Sequence, residues 1–170
     1  MDKKNLVLLG MMAVGKSTIG KIVAEKQELE FIDIDQNIEK KISRNISEIF
    51  NQKGEEFFRN EEEKEVLKCL KKRNCVIALG GGAFMNKKLR NSISKNAVSV
   101  WLDVNLKTLS DRLKWNQKRP MLKKNNNKKK LEELYSQRKN IYKLANHKVI
   151  CDKLDKQNIA EKVIEIYEKY

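Results

Sequence analysis

Apolar and polar positions fall in alternating blocks along this chain. Short runs at Leu6 to Leu9, Phe31 to Asp33, Val76 to Leu79, Ser99 to Leu102 and Lys148 to Cys151 read as strands. Longer amphipathic stretches between them predict helices near Thr18 to Lys26, Asp35 to Lys41, Glu55 to Lys71, Leu106 to Trp115, Lys130 to Leu144 and Ile159 to Tyr167. In the last of these, Ile159, Val163, Ile166 and Tyr167 return at helical spacing, which marks them as core. Strands alternating with helices predict an α/β fold whose parallel sheet is covered on both faces.

One segment breaks the pattern. Asn116 to Lys129 holds the only proline, Pro120, and the run Lys123-Lys124-Asn125-Asn126-Asn127. A charged, apolar-poor stretch in a chain otherwise built for a core is either a surface loop or a mobile lid. The 170 residues suit a single domain. No apolar run nears the roughly 18 residues of a membrane span, and Met1 to Asn5 leads into the first strand without a signal-peptide pattern. A cytoplasmic protein with no membrane partner is therefore expected.

Charge changes the picture only a little. The formal net charge is +14, much of it in clusters such as Lys40-Lys41, Lys71-Lys72-Arg73 and Lys128-Lys129-Lys130. These clusters lie on amphipathic segments in a chain rich in Lys and Asn throughout, and no DNA- or RNA-reading motif accompanies them, so no nucleic-acid partner is expected. A positive field would still attract an anionic nucleotide and an anionic second substrate. Cys69, Cys75 and Cys151 are scattered and His147 is the only histidine, which argues against a disulfide framework and a His/Cys metal site.

Candidate chemistry begins with Gly10-Met11-Met12-Ala13-Val14-Gly15-Lys16-Ser17-Thr18. The stretch satisfies the phosphate-loop pattern G-x-x-x-x-G-K-[ST] and sits between an expected strand and an expected helix. In that frame the backbone N–H groups surround nucleotide phosphates, Lys16 reaches the β and γ phosphates, and Ser17 offers its hydroxyl to magnesium. A glycine-bounded turn that merely contains Lys-Ser is the alternative, and the surrounding strand and helix weigh against it.

Three further constellations narrow the chemistry. In Phe31-Ile32-Asp33-Ile34-Asp35, two carboxylates two residues apart would share one face at the carboxyl end of the strand if the strand continues that far. One would hold magnesium through water and the other would accept a hydrogen bond from a substrate hydroxyl, unless Asp35 only caps the next helix. Gly80-Gly81-Gly82 follows an apolar run and frees the backbone for close approach to a ligand, or forms a simple turn. Arg59, Arg112, Arg119 and Arg138 stand out in a chain that prefers lysine. Arginine's planar fork suits carboxylate and phosphate, so its retention points to bidentate recognition, with a surface ion pair of little worth as the alternative for each of the four.

Taken in order, these residues resemble shikimate kinase, a small member of the nucleoside-monophosphate-kinase-like group of phosphate-loop enzymes. The likeness runs from the phosphate loop through Asp33, Asp35, Ile38-Glu39, Ile49-Phe50, Gly54-Glu55, Phe58-Arg59, Glu62, Leu79 to Ala83 and Arg119-Pro120 to Arg138 and Tyr142. It implies a five-stranded parallel sheet of order 2-3-1-4-5 flanked by helices. A lid is expected at about residues 113–128 and a substrate-binding helical region at about 35–62. The implied reaction transfers the ATP γ-phosphoryl group to the 3-hydroxyl of shikimate, a step toward aromatic amino acids, in a monomer with one Mg2+ per active site.

Residue by residue, the resemblance implies that Ala13, Val14, Gly15, Lys16, Ser17, Thr18, Arg112 and Arg119 bind ATP, with Arg112 flanking the adenine. Ser17 and, through water, Asp33 hold the metal. Asp35, Arg59, Gly80, Gly81, Gly82 and Arg138 bind shikimate, the two arginines gripping its carboxylate. Lys16, Asp35 and Arg119 are the expected catalytic residues. The chain departs from the family pattern at Ala13, usually glycine, at Asn158, where a proline often stands beside the adenine, and in the Lys123 to Lys130 run.

Overall fold

A computed structural model describes residues 4–114 and 127–170. Five strands, β1 (Asn5–Leu9), β2 (Glu30–Asp33), β3 (Cys75–Ala78), β4 (Ala97–Asp103) and β5 (His147–Ile150), form one sheet in the order β2-β3-β1-β4-β5. Every neighbouring pair is parallel. This is the expected architecture and strand order, with strand boundaries shifted by a residue or two. The helices are α1 (Lys16–Lys26), α2 (Ile34–Ile42), α3 (Ile46–Cys69), α4 (Lys87–Asn96), α5 (Leu106–Lys114), α6 (Asn127–Tyr142) and α7 (Lys156–Tyr167).

β1 lies at the centre, and Leu6 to Leu9 are buried because helices cover both faces of the sheet. Asn5 is also buried. Its side-chain amide donates to the Lys72 carbonyl (2.8 Å) and accepts from the Cys75 N–H (3.1 Å), joining the start of β1 to the start of β3. The outer strands carry Glu30 and Lys148 at exposed positions, charges that discourage pairing with another sheet edge.

Three local features differ from the expected elements. α3 begins at Ile46 rather than Glu55, behind a capping box in which Asn45 and Glu48 each bond the other's backbone N–H at 2.9 Å, and it kinks at Gly54 (φ 83°, ψ 168°). α4 was not expected at all. Only Leu89 and Ile93, one turn apart, are buried along it, too few to register as a helical stripe, and its start is fixed by Asn86 accepting from the N–H groups of Lys88 and Leu89.

The third difference concerns the carboxylate pair. β2 ends at Asp33, whose side chain accepts from the Gln36 N–H at 3.1 Å and so caps α2. Asp35 therefore lies in the first turn of α2, not farther along the strand, and the cap belongs to Asp33. The condition for a shared strand face, a strand that runs on to Asp35, is not met, and Asp35 falls on the helix expected from that residue. The loops after β1, β2 and β3 still converge at the carboxyl edge of the sheet, on either side of the point where the strand order reverses around β1.

Candidate active site

The loop Gly10 to Gly15 turns tightly at the end of β1. A side chain at Gly10 (φ 142°) would come within 2.6 Å of the Leu102 carbonyl, so the turn requires glycine there. Lys16 folds back over the loop, its ammonium donating to the carbonyls of Gly10 and Met11 at 2.9 Å each. From α5, Arg112 donates to the carbonyls of Ala13 (3.3 Å) and Val14 (3.1 Å), bracing the loop from the other side. The first turn of α1 contains no acidic residue, leaving the positive end of the helix available to an anion. A cavity of about 270 Å³ opens here, lined by Ala13, Gly15, Lys16, Ser17, Thr18 and Arg112 among others. Val14 turns its side chain into the core, so only its backbone serves the loop.

A second cavity of about 440 Å³ adjoins the first. Arg59, Glu62, Gly80, Gly82 and Arg138 line it, together with Phe50 and Phe58. Ser17, Asp33, Asp35 and Gly81 line both cavities. The Ser17 hydroxyl donates to Asp33 Oδ2 at 2.5 Å. Two acidic side chains and a hydroxyl thus stand at the boundary between a loop built for phosphates and a separate, arginine-bearing chamber.

That chamber is tightly organised. Arg59 pairs through Nη1 with Glu62 at 2.7 Å and through Nη2 with Glu55 at 3.3 Å, and its guanidinium lies 5.3 Å from the Phe58 ring centroid. Glu62 is 1% exposed. Burial pushes its carboxyl above the ordinary range, Asp35 adds to the effect, and Arg59 and Arg138 oppose it. Glu62 Oε1 has no hydrogen-bond partner among the described residues. Gly80 separates the acids, since a side chain there would strike Glu62 Oε1 and lie 2.8 Å from Asp35 Oδ1. At Gly82 a side chain would sit 2.5 Å from Arg59 Nη2.

Arg138, on α6, is buried. One turn on, the buried Tyr142 donates its hydroxyl to the Gly81 carbonyl at 2.5 Å, also bonds Arg138, and packs on Trp101 with ring centroids 5.8 Å apart. Burial pushes its phenol up to about 12, so it remains a hydrogen-bond donor at neutral pH.

The described residues thus bring together every expected site residue except Arg119, which lies outside them, as does most of the expected lid. Arg112 is placed against the phosphate loop. For Phe50, Phe58, Glu62 and Tyr142 the sequence offers a place in the family pattern and no role. Glu62 had one usable signal, its position three residues after Arg59 on a helix, where opposite charges meet.

A family model described as shikimate kinase matches residues 12–168. A shikimate kinase from Sulfurihydrogenibium sp. (strain YO3AOP1) is 44% identical over 161 residues, covering 95% of this chain and 96% of that protein. One from Bacillus subtilis (strain 168) is 41% identical over 167 residues, covering 96% and 88%. Among solved structures, shikimate kinase from Acinetobacter baumannii in complex with shikimate has a TM-score of 0.93 at 28% identity, over 98% of this chain and 94% of that one. A gluconokinase from Sinorhizobium meliloti 1021, 15% identical with a TM-score of 0.57 over 98% and 94%, shares the fold alone.

Proposed function

Because the chain belongs to the shikimate kinase family, and so transfers the γ-phosphoryl group of ATP to shikimate on the route to aromatic amino acids, we propose that its two adjoining cavities are the ATP and shikimate sites. The observation that carries this reading is the shared border. Ser17, Asp33, Asp35 and Gly81 line both cavities, where a phosphoryl donor and its acceptor must meet.

On the donor side, Lys16 exchanges its two loop carbonyls for the β and γ phosphates, and the loop N–H groups hold the chain of phosphates in line. Arg112 keeps the loop in shape. The Ser17 hydroxyl and the Asp33 carboxylate are hard oxygen donors already in contact, a set that suits Mg2+. No cluster of three or more His, Cys, Asp or Glu fit for a metal occurs among the described residues, which accords with an ion completed by nucleotide phosphates and water. When bound, magnesium would neutralise charge on those phosphates.

On the acceptor side, Arg59 and Arg138 grip the shikimate carboxylate with charge-assisted bonds. Glu62 holds Arg59 in place and offers its second, buried oxygen to a substrate hydroxyl. Asp35 accepts the hydrogen bond of the 3-hydroxyl, orients it toward the γ phosphorus and takes its proton as the new P–O bond forms and ADP leaves. Arg119 keeps the place on the transferring phosphate that the family likeness gives it. The same reading takes the chain as one cytoplasmic kinase domain acting as a monomer.

A coupled ADP-release assay with MgATP tests the proposal. Shikimate alone should stimulate turnover, whereas gluconate, nucleoside monophosphates and a no-acceptor control should not. Stimulation by gluconate in place of shikimate would remove Arg59 and Arg138 from the acceptor site.

A further inference from the structure

α3 carries acids at Glu61, Glu62, Glu63 and Glu65, in a chain with an excess of positive charge. Such a run ordinarily faces solvent, yet Glu61, Glu62 and Glu65 are buried. Glu62 belongs to the chamber. Glu61 and Glu65 point elsewhere, toward α2.

Their partners match them in register. Asn37 Nδ2 donates to Glu65 Oε1 at 3.0 Å, and Lys41 Nζ donates to Glu61 Oε2 at 2.6 Å. Asn37 and Lys41 are one turn apart on α2, as Glu61 and Glu65 are on α3, so the two bonds form successive rungs between antiparallel helices. Lys64 completes Glu61 (2.8 Å), and Lys68 and Cys69 approach Glu65 at 3.7 Å and 3.6 Å. Between Asn37 and Lys41 on α2, Glu39 accepts from the N–H of Ile46, the first residue of α3, at 2.9 Å.

The ladder joins the two helices that face each other across the acceptor chamber. Asp35 lies two residues before Asn37, and Glu62 directly follows Glu61. We propose that Glu61 and Glu65, with Lys41 and Asn37, are positioning residues for phosphoryl transfer: they fix α2 against α3 and so set the separation of Asp35 from Arg59 and Glu62. This rests on the acceptor-site reading above. A carboxylate–amide or carboxylate–ammonium rung has direction, so it specifies the register of the two helices, whereas an apolar contact tolerates sliding.

The test exchanges donor and acceptor within one rung. Asn37→Asp places two carboxylates face to face. Adding Glu65→Gln restores one donor and one acceptor with the combined side-chain length unchanged. Asn37→Asp should raise the shikimate KM about tenfold with the ATP KM moved no more than about twofold, and the double variant should return it close to wild type. Lys41→Met, at the exposed end of the ladder, gives a second reading should Asn37→Asp not fold, with an expected rise in shikimate KM of about threefold. Recovery of melting temperature in the double variant without recovery of shikimate KM would overturn the proposal, as would a shikimate KM unchanged in both single variants. Failure of the acceptor-site reading is distinguishable, because wild type itself would then show no shikimate-dependent turnover.

Discussion

The Ser17 hydroxyl and the Asp33 carboxylate meet at 2.5 Å, while the other oxygen of Asp33 caps α2 through the Gln36 N–H at 3.1 Å. One side chain thus serves both the donor site and the helix that presents Asp35. The two duties separate by substitution. Asp33→Asn keeps a good cap and should leave the melting temperature near wild type while raising the Mg2+ concentration needed for half-maximal activity. Asp33→Ala should show the same metal defect and also lose about 1 kcal/mol of stability, measured by urea denaturation. Equal stability losses in both variants would contradict the cap assignment.

Asp35→Asn retains shape and removes the proton acceptor. Turnover with shikimate should fall by about a hundredfold or more, with ATP affinity measured by calorimetry unchanged. Near-normal turnover would take Asp35 out of the mechanism.

Arg138→Lys replaces a fork with a point charge on the same helix. The shikimate KM should rise about tenfold and the ATP KM much less, because the change falls on a carboxylate contact. Steady-state kinetics with each substrate varied in turn decides this, and equal effects on both would argue against a carboxylate role.

At Gly82 the structure leaves no room for a methyl group beside Arg59, whose guanidinium is pinned by Glu62 and Glu55. Gly82→Ala should therefore displace Arg59 and raise the shikimate KM about tenfold, while Gly54→Ala, where no neighbouring atom stands in the way, should affect stability through its positive φ rather than shikimate binding. A Gly82→Ala enzyme with unaltered shikimate KM would show that Arg59 is not held as described.

Acid should weaken the α2–α3 ladder. Hydrogen bonds from Lys41 and Lys64 hold the Glu61 carboxyl below its ordinary value of 4.5. The unfolded chain takes up this proton first on acidification, so the stability Glu61 contributes is present above pH 4.5 and is lost as pH falls through the lower, folded value. Wild type should exceed Glu61→Gln in melting temperature near neutrality, and the two should converge once the pH is taken well below 4.5. A difference that persists unchanged there would contradict the ion-pair assignment.

Which parts were legible in the sequence follows from the range of the interactions involved. β1 and the phosphate loop announce themselves locally, because a buried central strand needs a continuous apolar run and the turn after it needs Gly10. Ala13 occupies that loop with φ 61°, the constraint expected where the family usually has glycine. α4 escaped because two buried residues make no stripe, and the first part of α3 escaped because Gly54 interrupts it. Asp35 falls on the helix expected from that residue, but which of the two acids caps the helix stays open in the sequence, because Asp33 ends its strand by capping, a decision made by one side chain rather than by periodicity. Glu61 and Glu65 draw no role from the sequence because their partners, Lys41 and Asn37, lie 20 and 28 residues away. Only the packing of α2 on α3 makes them neighbours.

The central claim is that acceptor and donor meet at Asp35, with Arg59 and Arg138 on the acceptor's carboxylate. A crystal structure of the enzyme with shikimate and MgADP measures this directly. The account predicts the shikimate carboxylate within hydrogen-bond distance of Arg59 and Arg138, and the 3-hydroxyl within hydrogen-bond distance of an Asp35 oxygen. Shikimate bound with its carboxylate toward the phosphate loop, or with the 3-hydroxyl beyond the reach of Asp35, would contradict it.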